Sequence, residues 1–183
     1  MKASWKTLAS VDHRHFAALK SRFSSLPVDL RCGLLCVDVT AQRLHWLRAS
    51  ADAVQFPIST SRFGVGCREG SNRTPLGLHR VEQKIGAGAA RGTVFVGRQA
   101  CAWPPADSDD VISTRILWLS GLEPGRNSGP GCDSHDRYIY IHGTPHTGLL
   151  GTPASIGCIR MDDDDVVRLF ENVVAGTPVL IQA

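Results

Sequence analysis

The sequence lacks any long apolar run and any large excess of charge of one sign. No stretch reaches the roughly 18 uncharged apolar residues that a membrane-spanning helix needs, so we expect no membrane partner. Lysine and arginine total 20 against 17 aspartates and glutamates, a net charge of +3. The basic residues are scattered rather than clustered, so the sequence predicts no nucleic-acid partner.

The beginning of the chain is basic and has no apolar stretch behind it. Residues 1–10 carry two lysines, and charged or imidazole side chains occupy positions 12–15. A secretory signal needs an apolar segment at this place. We therefore expect a cytoplasmic location, with the periplasm as the alternative.

The six cysteines show no spacing typical of a small disulfide-stabilised domain. They are Cys32, Cys36, Cys67, Cys101, Cys132 and Cys158. With a cytoplasmic location expected, free thiols are favoured over disulfides.

Turn-forming residues are abundant and favour a β-rich fold. The chain holds 18 glycines and 10 prolines among 183 residues, of which 43% are hydrophobic. This supply of turns favours a mainly β fold with a few short helices. We expect one domain over residues 32–183, with an N-terminal helical extension, residues 1–31, packed on it. The helix of that extension is predicted over Val11–Phe23, where apolar side chains recur at helical spacing.

Hydrophobic periodicity locates the other main elements. Leu30–Val39 and Arg43–Leu47 alternate as the two strands of a hairpin. Pro57 interrupts the strand predicted over Ala53–Thr60, which predicts an edge position because proline has no N–H to donate. Asp162–Val174 is predicted to be a helix whose first turn is acidic, as the helix dipole favours.

A histidine and a cysteine stand at the two ends of a loop rich in glycine and proline. His142 ends the strand predicted over Tyr138–Ile141, and Cys158 follows 16 residues later. A turning loop can bring the two side chains together, and an imidazole beside a thiol favours the reactive thiolate. The alternative from residue types alone is a buried structural cysteine and a surface histidine.

Longer motifs surround this pair. His142-Gly143-Thr144 precedes the loop, Ser155-Ile156-Gly157-Cys158-Ile159-Arg160-Met161 ends it, and Thr74-Pro75-Leu76-Gly77 stands upstream. In this order the motifs resemble the active-site signature of the L,D-transpeptidase catalytic domain (the YkuD or ErfK/YbiS family). The resemblance covers about residues 32–183 and implies that family's mixed β-sandwich.

The resemblance implies roles for the pair and its neighbours. Cys158 is the expected nucleophile, His142 its base, and the Gly143 carbonyl the group that orients the imidazole. Backbone N–H groups at Gly157 and Cys158 are expected to form the oxyanion hole. A helix beginning just after Cys158 is expected to stabilise its thiolate.

Four further residues are candidate site residues. Arg160 is expected to hold the active-site loop or a substrate carboxylate, and the alternative is an arginine lying along the surface. Ser155 is expected to make a loop hydrogen bond. Trp118 and Asn127 lie in segments that wall the substrate cleft in the family, so both are expected to be cleft residues.

The sequence departs from the family pattern at Ile156, where a histidine is usual. His146 is a possible replacement for that imidazole, although a solvent-exposed loop histidine is the simpler interpretation. A zinc site formed by His142, His146 and Cys158 is a further alternative. Zinc-binding histidines at this spacing usually lie on a helix, which Pro145 disfavours, so no metal and no other cofactor is expected.

The resemblance implies acyl transfer on peptidoglycan. The expected partner is a stem tetrapeptide or muropeptide, cleaved between the L-centre of diaminopimelate and the terminal D-Ala, and carbapenems are expected inhibitors. A cytoplasmic location favours hydrolysis, by an L,D-carboxypeptidase of cell-wall recycling. The alternative is an L,D-transpeptidase that forms 3→3 cross-links or exchanges D-amino acids. A non-catalytic muropeptide-binding module is a second alternative, which only Ile156 supports.

Overall fold

The computed structural model describes residues 19–49, 51–102 and 110–183. Helix α1 is described over residues 19–23, helix α2 spans Asp163–Asn172, and a single 3₁₀ turn lies at Thr147–Leu149. The strands are β1 (Leu34–Asp38), β2 (Arg43–Arg48), β3 (Ala51–Ser59), β4 (Gly77–Ile85), β5 (Val94–Val96), β6 (Gln99–Cys101), β7 (Ile112–Gly121), β8 (Tyr140–Gly143), β9 (Ile159–Met161) and β10 (Pro178–Gln182). The predicted mainly β fold with a few short helices is confirmed.

All ten strands belong to one sheet that closes on itself. Their order is β4-β10-β1-β2-β3-β9-β8-β7-β5-β6, and β4 also pairs with β7. The strands from β4 round to β7 therefore form a barrel-like sandwich, and the β5–β6 hairpin extends from β7. Closure pairs the edge strands of an otherwise open sheet, so their N–H and C=O groups are satisfied within the molecule.

The main core lies between the sheet and helix α2. Val166, Leu169 and Phe170 of α2 are buried in one cluster with Leu117 and Ile141 of β7 and β8. Asp162 caps the helix, since its side chain accepts a hydrogen bond from the N–H of Asp164, and this satisfies a backbone donor that has no partner within the helix.

Of two predictions about individual strands, the hairpin is confirmed and the edge position is wrong. The predicted hairpin is present, since β1 and β2 pair antiparallel from Leu34↔Leu47 to Asp38↔Arg43. The prediction that Pro57 marks an edge strand is wrong, because β3 lies between β2 and β9. Proline is tolerated there because the pairing of β3 with β9 begins only at Ile58.

The described part of the N-terminal extension packs on the domain. Leu19 and Phe23 of α1 are buried against Leu34, Cys36 and Leu180. Residues 1–18 of the extension lie outside the described residues, and the boundary at residue 31 remains a prediction.

No helix in the described part of the chain is both long enough and apolar enough to cross a lipid bilayer.

Candidate active site

The two motif residues come from neighbouring parallel strands. Strands β8 and β9 pair with His142 opposite Arg160, and Cys158 directly precedes β9. Side chains alternate between the two faces of a strand, so Cys158 and Arg160 project to the face that carries His142. Antiparallel pairing of β7 with β8 sets Ile116 opposite His142 and Trp118 opposite Tyr140, and both β7 side chains therefore belong to this face. The long-range pairing of strands thus assembles the site.

His142 is held in one orientation by the carbonyl that follows it. The side chain is fully buried, and its Nδ1 lies 2.8 Å from the Gly143 oxygen. A carbonyl oxygen can only accept, so Nδ1 carries the hydrogen and Nε2 carries the lone pair of the neutral imidazole. Nε2 is buried and has no hydrogen-bond partner among the described residues. The surface-histidine interpretation is wrong, and Nε2 is available as a base.

Gly143 is required by close packing around its Cα. A Cβ built at this position clashes with the Asp163 carboxylate and lies 2.6 Å from the Ser113 oxygen. Ser113 in turn donates a hydrogen bond of 2.6 Å to Asp163. The first turn of α2 and the start of β7 therefore fix the position of the carbonyl that orients His142.

Cys158 rests as a neutral thiol. It is half-buried, and its Sγ donates to the Tyr138 carbonyl at 3.3 Å. Burial raises the pKa of the Cys158 thiol to about 12, and the Asp110 carboxylate adds to this rise. Burial also lowers the pKa of His142. Near neutral pH the resting pair is therefore a thiol and a neutral imidazole, not a thiolate–imidazolium ion pair.

The segment that follows Cys158 is a strand. Residues Ile159–Met161 form β9, and α2 begins only at Asp163. The prediction that a helix begins just after Cys158 is wrong. The dipole of α2 therefore contributes little to the thiolate, since its effect falls off within the first turn.

The loop that carries the nucleophile is held by side-chain hydrogen bonds. Ser155 Oγ donates to the Cys158 carbonyl at 2.6 Å and accepts from the Gly157 N–H at 3.2 Å. Thr74 Oγ1 donates to the Gly157 carbonyl at 2.9 Å. Because the Gly157 N–H is engaged by Ser155 in this conformation, the Cys158 N–H is the better candidate donor for an oxyanion, and that role remains a prediction.

Arg160 is buried and ion-paired. It is 1% exposed, and its guanidinium contacts Asp110 at 2.6 and 2.8 Å. The alternative of an arginine lying along the surface is therefore wrong. The pair ties β9 to Asp110, which stands two residues before β7, and the expected role of Arg160 in holding the active-site loop or a substrate carboxylate stays a prediction.

The two predicted cleft residues lie in different surroundings. Trp118 belongs to the face that carries Cys158, stacks on His135 at 3.9 Å between ring centroids, and meets Tyr140 edge-on. Asn127 is fully buried. Its amide donates to two backbone carbonyls, and its oxygen accepts from the Glu123 N–H. The contacts of Asn127 hold a loop and give no support to a contact with substrate.

Ile156, which stands where a histidine is usual, and His146, its possible replacement, both lie in loops. Ile156 is 40% exposed beside the nucleophile loop, and His146 is half-buried with no hydrogen-bond partner for Nε2 in the described part of the chain. No group of three histidine, cysteine, aspartate or glutamate side chains within residues 19–49, 51–102 and 110–183 is placed to hold a metal ion. The proposed zinc triad of His142, His146 and Cys158 is therefore not assembled.

Sequence reasoning missed three residues beside the nucleophile. The sequence around Asp110 predicts only a polar loop, yet the charge of Asp110 acts to raise the pKa of both Cys158 and His142. Tyr138 has φ of 57°, unusual for a residue other than glycine, and supplies the carbonyl that holds the thiol. Arg98 lies 4.6 Å from the Trp118 ring and donates to the Tyr140 hydroxyl. None of these contacts leaves a local sequence signal.

Comparison with known proteins points to one family. Residues 33–181 match the L,D-transpeptidase catalytic domain, YkuD. The probable L,D-transpeptidase ErfK/SrfK of Escherichia coli (strain K12) is 27% identical over 164 residues, 85% of this chain and 46% of that protein. The putative L,D-transpeptidase YqjB of Bacillus subtilis (strain 168) is 51% identical over 47 residues, 25% of this chain and 27% of that protein.

A solved structure shares the fold. L,D-transpeptidase 3 from Mycobacterium tuberculosis, in complex with a faropenem-derived adduct, superposes with a TM-score of 0.52 at 18% identity, over 82% of this chain and 60% of that one. This chain spans less than half of the ErfK/SrfK protein.

Proposed function

This chain belongs to the L,D-transpeptidase catalytic domain family, and we propose that it is a cysteine acyl-enzyme acting on peptidoglycan stem tetrapeptides. The bond cleaved joins the L-centre of diaminopimelate to the terminal D-Ala. The observation that carries the proposal is the hydrogen bond from His142 Nδ1 to the Gly143 carbonyl. It leaves Nε2 as a lone pair on the sheet face that also carries Cys158, as nucleophilic catalysis by a cysteine requires.

In the proposed first step, Sγ of Cys158 attacks the carbonyl carbon while His142 Nε2 accepts the thiol proton. The carbon–nitrogen bond then breaks, and the leaving D-Ala amine takes that proton from His142. A thioester remains on Cys158. Because thiol and imidazole rest neutral, His142 has to take the thiol proton in the course of this step. Attack also requires the thiol to leave the Tyr138 carbonyl.

Two acceptors resolve the thioester. Water is the first proposal, and it makes the protein an L,D-carboxypeptidase, for which we propose a cytoplasmic location. An amine is the second proposal, supported by the names of the relatives, and it makes the protein an L,D-transpeptidase, for which the periplasm is the proposed location. The unpartnered Nε2 of His142 serves either route, because it is free to take a proton from an incoming water or amine.

Mass spectrometry of the purified protein with a disaccharide tetrapeptide, with and without added D-methionine, separates the two outcomes. Loss of D-Ala to a tripeptide in both samples identifies water as the acceptor. Exchanged or dimeric peptides identify an amine. Absence of any product contradicts the proposal, and the Cys158→Ala protein is the control that must be inactive.

A carbapenem tests the nucleophile independently of the natural substrate. The family supports acylation of Cys158 by this class, and the Mycobacterium tuberculosis relative carries an adduct derived from faropenem, a β-lactam of the neighbouring penem class. We expect the protein mass to increase by that of the drug, and the increase to vanish in Cys158→Ala. An unmodified wild-type protein favours a non-catalytic binding module. Fractionation of cells with an antibody tests the proposed compartment.

A further inference from the structure

The segment between β3 and β4 forms a cavity that is open to solvent. Its volume is about 600 Å³, and every lining residue lies between Gly66 and Arg73. Glu69 and Gly70 also line a second cavity, of about 200 Å³. We call the two neighbouring cavities together the loop cavity.

The loop cavity reaches the nucleophile. Tyr138 and Ile156 line its smaller part. Tyr138 accepts the hydrogen bond of the Cys158 thiol, and Ile156 stands two residues before Cys158. A substrate with its scissile carbonyl at Cys158 can therefore extend its remaining groups into the loop cavity.

Three charged side chains line the larger part. Arg68, Glu69 and Arg73 are all exposed, and none of their charged groups makes a hydrogen bond or ion pair with the described residues. Some other exposed arginines are ion-paired, as Arg31 is with Asp29 and Arg126 with Glu123. The cavity thus presents two cations and one anion with their hydrogen-bonding capacity unused.

The loop is held in place by Arg137, which also lines the smaller part of the cavity. Arg137 donates to the Gly66 carbonyl at 3.3 Å and to the Arg73 carbonyl at 2.6 Å. A Cβ at Gly66 would lie 2.9 Å from Cδ of Arg73, so glycine lets the arginine side chain lie across it. Ser71 Oγ donates to the Arg68 carbonyl. These hydrogen bonds restrain the backbone that carries the three charged side chains, so less backbone freedom is lost when a ligand binds.

Resting on the proposed function, we propose that the loop cavity binds the zwitterionic head of an α-amino acid. Arg68 and Arg73 match its carboxylate, because guanidinium groups bind carboxylates through paired hydrogen bonds. Glu69 matches its ammonium group. Two substrates of the proposed reaction carry this head: the side-chain end of diaminopimelate in a stem peptide, and a free D-amino acid that acts as acceptor.

The first arm of the test compares two tetrapeptides that differ only in the diaminopimelate side-chain carboxylate, one free and one amidated. In the Arg68→Gln, Arg73→Gln double variant we expect KM to rise about tenfold for the free carboxylate. KM for the amidated peptide and kcat for both peptides should change less than about twofold. A contact made equally in the ground state and the transition state affects KM and leaves kcat unchanged. Arg62→Gln is the matched control, because Arg62 belongs to the same loop and lies against Phe63, outside the cavity.

The second arm uses D-methionine as the acceptor. If a free amino acid is the ligand, the double variant raises the D-methionine concentration needed for half-maximal exchange, and the two tetrapeptides behave alike. Equal behaviour of wild type and double variant in both arms overturns the proposal. Glu69→Gln should weaken binding of the same ligand. An unchanged KM in that variant would show that Glu69 does not contact the ammonium group.

A binding measurement separates failure of this proposal from failure of the proposed function. The Cys158→Ala protein is titrated calorimetrically with the tripeptide that ends in diaminopimelate, with and without the double substitution. Binding that depends on Arg68 and Arg73 supports the cavity even if no turnover is found. Carbapenem acylation without such binding supports the nucleophile and overturns the cavity.

Discussion

At the scale of single residues, the protonation states of His142 and Cys158 decide how the activity of the site depends on pH. Burial lowers the pKa of His142 from its usual 6.5 and raises that of the thiol to about 12. The imidazole of His142 is therefore neutral at pH 6.5 and above. The thiol of Cys158 stays protonated until the pH approaches its own raised pKa. General-base catalysis by His142 needs both of these forms.

We predict that kcat/KM is flat between about pH 6.5 and 9 and falls only as the pH drops through the lowered pKa of His142. Acylation by a carbapenem, followed by stopped-flow fluorescence, measures the profile. His142→Gln should reduce the plateau by about 10²–10⁴-fold, whereas His146→Gln should leave it unchanged. A descending limb between pH 7 and 9 would instead show that the reaction needs an imidazolium–thiolate pair.

Gly143→Ala tests whether packing behind the histidine matters. The new methyl group meets the Ser113 carbonyl and the Asp163 side chain, so the strand must shift, at a cost of about 1–3 kcal/mol. We expect both a lower free energy of unfolding in urea and a loss of activity, because the carbonyl that orients His142 moves. Gly148→Ala is the control, since a Cβ there meets nothing within 4 Å. Equal behaviour of the two variants would contradict this account.

At the scale of elements, the junction between β9 and the start of β7 combines structure with electrostatics. Arg160 and Asp110 form a buried ion pair there. The Asp110 carboxylate also raises the pKa of Cys158 and opposes the lowering of the His142 pKa by burial. Arg160 acts in the opposite direction and lowers both pKa values, so burial is the main cause of the raised thiol pKa and the junction adds two opposing contributions.

We predict that Asp110→Asn lowers the pKa of the Cys158 thiol, because the nearby negative charge is removed. The pH at which iodoacetamide alkylates Cys158 at half its maximal rate should shift downwards. Asp29→Asn, which removes a surface carboxylate paired with Arg31, should leave the alkylation profile as in the wild type. A shift towards higher pH would show that loss of the Arg160 contact dominates. Circular dichroism checks that the variant is folded.

At the scale of the whole molecule, His79 links the closed sheet to the loop that leads to the active site. It is fully buried on β4, where its ring contacts the Gly77 carbonyl at 3.1 Å and Ser134 Oγ at 3.0 Å. Burial lowers the pKa of His79 to about 4, against contributions from Gly77 and Glu123 that raise it, while Arg126 and Arg137 add to the lowering. Protonation therefore opposes the folded state.

The unfolded chain binds the His79 proton near pH 6.5 and the folded chain only near pH 4. The stability that this group contributes is present above pH 6.5 and is lost as the pH falls towards 4, by up to about 3 kcal/mol. We predict that the free energy of unfolding in urea declines less between pH 7 and 4.5 in His79→Gln than in the wild type. His45 and His142 also have a lowered pKa. Their contribution to the pH dependence of the free energy of unfolding is the same in both proteins. Parallel declines would contradict the role of His79.

The local sequence pattern predicted where the strands and the helix lie along the chain better than it predicted which strands pair with one another. The β1–β2 hairpin and helix α2 lie close to where periodicity and capping place them, since both signals depend on residues near in sequence. The wrong edge assignment of Pro57 arose because its tolerance depends on where a distant strand, β9, begins to pair. The predicted helix after Cys158 was wrong for a similar reason, because pairing with β8 draws Ile159–Met161 into the sheet.

The sequence by itself determined the family, the fold class and the residue types of the candidate nucleophile and base. Those depend on motifs whose members are close together or occur in a set order along the chain. Only the tertiary structure decided that the thiol donates to Tyr138, that Arg160 pairs with Asp110, and that three charged side chains of one loop line the same cavity. Desolvation and Coulomb interactions depend on distances between residues remote in sequence, and only the closed sheet sets those distances.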